Sequence, residues 1–119
     1  MSAYTRAGIR APWAVRLSGI RYRTTRVLPW EIGRKGSGLW VEVPPGTAFD
    51  VSIPRPLWWA FDPHDPRYLK AAALHDELLK LGWDRVTAAA VFHCALVADG
   101  VPRARRLAML LAVMLWRYR

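Results

Sequence analysis

The chain has 119 residues, 53% of them hydrophobic, which fits one domain over residues 1–119 with a real core. Its single cysteine, Cys94, excludes an internal disulfide and any Cys-x-x-Cys metal knuckle. A formal charge of +9 suits contact with something acidic: nucleic acid, an anionic lipid surface or an acidic partner protein.

Residues 1–13 lack the apolar stretch and small-residue cleavage site of a signal peptide, so none is expected. The longest uncharged apolar run, residues 107–116, falls short of the about 18 residues that span a bilayer. No transmembrane segment is therefore expected.

The elements divide near Arg55 into a β-rich part, about 14–55, and a helical part, about 65–118. Residues 21–28, rich in Thr, Tyr and Val, predict an exposed strand. Residues 33–38 predict a glycine-rich turn. Residues 39–43 alternate Leu39, Val41 and Val43 against Trp40 and Glu42, the pattern of a half-buried strand. Pro44, Pro45 and Gly46 end it, and residues 47–53 predict the next strand, stopped by Pro54 and Pro56.

Asp65 and Pro66 open a helix that runs to about Leu81, with Gly82 closing it. Asp84 caps a second helix ending near Asp99 and Gly100, and Pro102 opens a third that runs towards Arg117. The short connections join antiparallel neighbours. The fold class is α+β: a small antiparallel sheet followed by two to three packed helices. The second helix is apolar nearly all round, so it is central in its domain or covered by another chain, which argues for an oligomer.

The candidate chemistry lies in two short segments. Phe49-Asp50-Val51-Ser52-Ile53-Pro54-Arg55 brings an acid, a hydroxyl and a guanidinium together. Leu74-His75-Asp76 follows about twenty residues later, with Trp58 and Trp59 between them as apolar cover. His75 has Ala71, Ala72, Leu78 and Leu79 as its helical neighbours, so its ring lies on an apolar face, either as a hydrogen-bonded core residue or as a base. Asp76 points about 100° away, to serve as an anchor, a cation ligand or the partner of Lys80. Ser52 has no Gly-x-Ser-x-Gly elbow and is expected to cap a turn rather than act as a nucleophile. Arg55 is expected to reach Asp76 with two parallel hydrogen bonds while His75 bonds a backbone carbonyl or Asp50, fastening the helix to the Ser-Ile-Pro segment. His93 and Cys94 have no carboxylate at ligand spacing, so no metal is expected.

The combination of Phe49, Asp50, Ser52, Ile53, Pro54 and Arg55 with Leu57, Trp58 and Trp59, then Tyr68, Ala72, Leu74, His75 and Asp76, then Phe92, Ala95, Leu96, Gly100 and Val101 resembles a phage and prophage family. That family is known as domain of unknown function 1353, and the resemblance covers residues 43–101. A more distant likeness joins the His-Asp helix to phospholipase A2 enzymes, where the His activates a water, the next Asp binds calcium and a remote Asp orients the His. The position for that remote Asp, three before Phe92, is Ala89, and no glycine-rich calcium loop precedes Asp50. The resemblances imply a non-catalytic structural or accessory component of a phage or phage-like particle, in the virion or host cytoplasm, on a degenerate hydrolase-like framework. Its partners would be other protein subunits, with DNA or an anionic surface facing the arginine-rich ends, and it would need no cofactor. The alternative is a small lipid or cell-envelope ester hydrolase using His75 and Asp76, with Asp50 as replacement partner and calcium as cofactor. A further alternative is a non-specific nucleic-acid-binding accessory protein, motivated by charge alone.

Overall fold

The structure, a computed structural model, describes residues 14–18, 21–33, 36–51 and 66–115. Five strands precede three helices: β1 Ala14–Ser18, β2 Arg21–Thr24, β3 Leu28–Glu31, β4 Trp40–Val43, β5 Ala48–Asp50, α1 Pro66–Lys80, α2 Arg85–Ala98 and α3 Arg103–Leu115. The architecture is α+β, with antiparallel strands in the first half and helices in the second.

The strands form two sheets rather than one. β1, β2 and β5 pair in that order, while β3 and β4 form a hairpin of their own. The strand expected over residues 21–28 is broken at residues 25–27, and its last residue, Leu28, begins β3. β4 alternates as expected at Val41 and Val43, both buried, but Leu39 precedes the strand and is exposed. Glu31 closes the hairpin: its carboxylate accepts the Gly36 and Gly38 N–H groups at 2.8 and 2.9 Å.

Thr24 joins the two sheets. Its N–H donates to the Thr47 carbonyl at 2.9 Å, and its own carbonyl accepts from Gly46 N–H at 2.7 Å. Its hydroxyl donates to the Pro44 carbonyl at 2.7 Å and accepts from Thr47 N–H at 2.9 Å. One buried side chain thus clasps the turn that carries the chain from β4 into β5. Gly46 stands in that turn with φ 81°, a left-handed conformation that costs glycine least.

α1 buries Tyr68, Ala71, Ala72, Leu74, His75 and Leu78, residues spaced three and four apart. It ends in a Schellman arrangement: Gly82, at φ 87°, donates to the Leu79 carbonyl and Trp83 donates to that of Leu78. α2 begins at Asp84, whose carboxylate accepts Thr87 N–H at 2.9 Å and the Thr87 hydroxyl at 2.6 Å. It ends as α1 does, with Gly100 donating to Val97 and Val101 to Leu96. The nearly all-apolar α2 lies between α1 and α3 and buries Ala88, Ala89, Val91, Phe92, Ala95 and Leu96. Its Val86 and Val97 remain exposed. Among the described residues no helix is long and apolar enough to cross a membrane.

Candidate functional site

α1 lies against β5, and two side chains one helical turn apart meet that strand's outer edge. Asp76 Oδ2 accepts Asp50 N–H at 2.9 Å. Lys80 Nζ donates to the Ala48 carbonyl at 3.0 Å. Residues two apart on a strand turn their N–H and C=O groups to the same edge, about 6–7 Å apart. Four residues of α-helix rise about 6 Å. The helix therefore gives the sheet edge one acceptor and one donor at the spacing a further strand would supply. Lys80 lies beside Asp76, as the i, i+4 spacing implies, but directs its ammonium to the strand.

Asp50 ends β5 with a half-exposed carboxylate, 3.4 Å from Arg21 Nε on β2. Asp76 is largely buried, and its carboxyl is pushed up from 3.8 to about 6. Burial is the main cause and the neighbouring Asp50 carboxylate adds to it, while the Asp50 N–H and Lys80 oppose the rise.

His75 is 3% exposed. Its ring meets Phe92 of α2 edge-on, with 5.5 Å between ring centres and 62° between planes. Burial lowers the imidazole from 6.5 to about 4, so it is neutral at physiological pH. Its Nε2 has no hydrogen-bond partner among the described residues. The expected bond from His75 to Asp50 is not formed: Asp50 offers its N–H to Asp76 and its carboxylate to Arg21. Ala89, one helical turn before Phe92 on α2, is fully buried and supplies no acceptor.

Ser52, Arg55, Trp58 and Trp59 lie outside the described residues, so the expected Arg55–Asp76 pair does too. Among the described residues, Asp76 holds α1 to the strand that leads into that segment through the Asp50 backbone N–H. His93 is lowered by burial and then by Arg106, and its Nε2 also has no partner among the described residues. Burial raises the Cys94 thiol. Among the described residues no three His, Cys, Asp or Glu side chains gather as a metal site.

Sequence reasoning passed over a second polar centre. Lys70 of α1 and Asp99 at the end of α2 form a buried ion pair, Nζ to Oδ1 3.0 Å. The ammonium also lies 5.2 Å from the centre of the fully buried Trp30 ring on β3. The pair was marked in the sequence by helical spacing: Lys70, Leu74 and Leu78 follow at four-residue intervals on one row of α1, and the row is buried.

Residues 29–113, well over half of the chain, match the family described as Protein of unknown function (DUF1353). The chain belongs to this family. The DUF1353 match spans β3 to α3, and so includes both the Asp50–Asp76 junction and the Lys70–Asp99 pair. No curated protein and no solved structure matches the chain.

Proposed function

We propose that this DUF1353 member is a non-catalytic structural or accessory component of a phage or phage-like particle. In this reading its His-Asp pair holds the fold together and does not react. The observation that carries it is the division of labour at the pair. Asp76 is engaged by Asp50 N–H, and the sealed imidazole of His75 has no orienting carboxylate among the described residues. A histidine base needs such a partner to fix its tautomer and stabilise its charged form. Its partners in this reading are other subunits of the assembly, with an acidic surface facing the arginine-rich ends. Immunoblotting of particles purified from the source culture tests it, alongside the association state of the isolated chain. The chain is expected in the particles and self-associated at micromolar concentration. A chain absent from particles and monomeric in solution overturns the proposal.

One observation favours a second reading, a small hydrolase of lipid or cell-envelope esters. His75 and Asp76 are adjacent and both titrate far from their ordinary values, a pattern that concentrates at functional sites. At neutral pH the imidazole is in the unprotonated form a general base requires. Ester and phospholipid hydrolysis, with and without added calcium, is compared for wild type and His75→Ala. Equal background rates eliminate this reading; a rate lost in His75→Ala displaces the first one.

A further inference from the structure

Helix α3 carries apolar side chains on the face it turns away from the domain. Met109 and Val113 are buried beneath it, while Ala104, Leu107, Ala108 and Leu111 are exposed on the other side. These four stand at i, i+3, i+4 and i+7, which is one stripe of a helix. Leu107 is 40% and Leu111 58% exposed. Single exposed leucines are ordinary, but a row of them is not. The same row begins with Arg103, four residues before Leu107, and three of the first four residues of α3 are arginine. The sequence from residue 100 to 119 contains no Asp or Glu.

We propose that this face of α3 docks on an anionic lipid bilayer, with Leu107 and Leu111 entering the headgroup–acyl boundary and Arg103 meeting lipid phosphates. The chemistry is that of an interfacial helix, in which apolar burial and attraction to anionic lipid act together. Charge complementarity selects this occupant over the others. A second copy would bring one arginine-led, acid-free helix against another, in a chain of net charge +9. Nucleic acid would use the arginines, but a phosphate backbone gives exposed leucines nothing to bury against. The proposal names the acidic surface left open above and is independent of particle membership. Vesicle binding is read on the purified chain and particle membership by immunoblot, so either can fail alone.

The test is co-flotation of the full chain with vesicles of phosphatidylcholine alone or mixed with phosphatidylglycerol, at low and high salt. The variants are Leu107→Gln with Leu111→Gln, and separately Arg103→Glu, all at exposed positions, with folding checked by circular dichroism. Wild type is expected on the mixed vesicles and not on phosphatidylcholine alone, with binding weakened by salt. Each variant is expected to bind about tenfold more weakly or worse. No vesicle binding, equal binding to both vesicle types, or binding unchanged in the leucine variant overturns the proposal. So does self-association of the free chain that the leucine variant abolishes, because a second copy then covers the face.

Discussion

At His75 and Asp76, burial moves two neighbouring groups towards their neutral forms, and the pH dependence of stability follows. Folding raises the Asp76 carboxyl from 3.8 to about 6, so its contribution is full below 3.8 and is lost as pH rises through about 6. Folding lowers the His75 imidazole from 6.5 to about 4, so its contribution is full above 6.5 and is lost as pH falls through about 4. The two windows overlap and their slopes oppose, so together they nearly cancel. Asp76→Asn removes the aspartate slope and leaves the histidine's, so stability relative to wild type should fall on acidification from about 6 towards 3.8. His75→Gln leaves the opposite slope, so stability relative to wild type should rise as pH falls from 6.5 towards about 4. Urea unfolding at stepped pH reads both, and parallel profiles for the two variants contradict the assignment. Asp76→Ala should also cost about 1–3 kcal/mol at neutral pH, the penalty of leaving Asp50 N–H unpaired. An intact or raised melting temperature points instead to a strained, functional carboxylate.

Among the elements, the helices were the most legible, because their start and stop signals are local chemistry. Pro66, Gly82, Asp84 and Gly100 each stand within a residue or two of a helix end. Asp84→Ala should lower the melting temperature by removing both bonds to Thr87, and Asp84→Ser should restore part of the loss. A melting curve unchanged in Asp84→Ala contradicts the capping role. The strands were less legible. Residues 21–28 read as one β-rich run, yet the chain leaves one sheet at Thr24 and enters another at Leu28. That switch is a tertiary event, fixed by the clasp of Thr24 on residues 44–47, and no local propensity marks it. β1 was missed for the same reason: Val15 and Leu17 are half-exposed on an edge strand, and only pairing with β2 defines it. Asp50 and Asp76 stand out in the sequence as polar groups among apolar ones, but the bond between them does not. A backbone N–H as the partner of Asp76 leaves no trace in side-chain identity.

At the scale of the whole molecule, the Lys70–Asp99 pair ties α1 to the end of α2 beneath the Trp30 ring of the hairpin. Asp99→Ala removes a carboxylate partner from a buried ammonium and should destabilise the fold by about 3–5 kcal/mol. Lys70→Met combined with Asp99→Leu should recover much of that loss, because a buried pair is commonly replaceable by apolar groups. Chemical denaturation of the single and double variants gives the coupling, and strictly additive losses contradict it. The Thr24 clasp reaches further than its four bonds. β3–β4 shares no ladder with β1–β2–β5, so opening one sheet would leave the other's hydrogen bonds in place were the two not joined at Thr24. If the clasp couples the two sheets, the amide protons of Gly46 and Thr47, in a surface turn, should exchange with deuterium as slowly as those of the central strand β2. Thr24→Val keeps the bulk and removes the hydroxyl, and should release the Thr47 amide first, uncoupling the hairpin into a separately breathing unit.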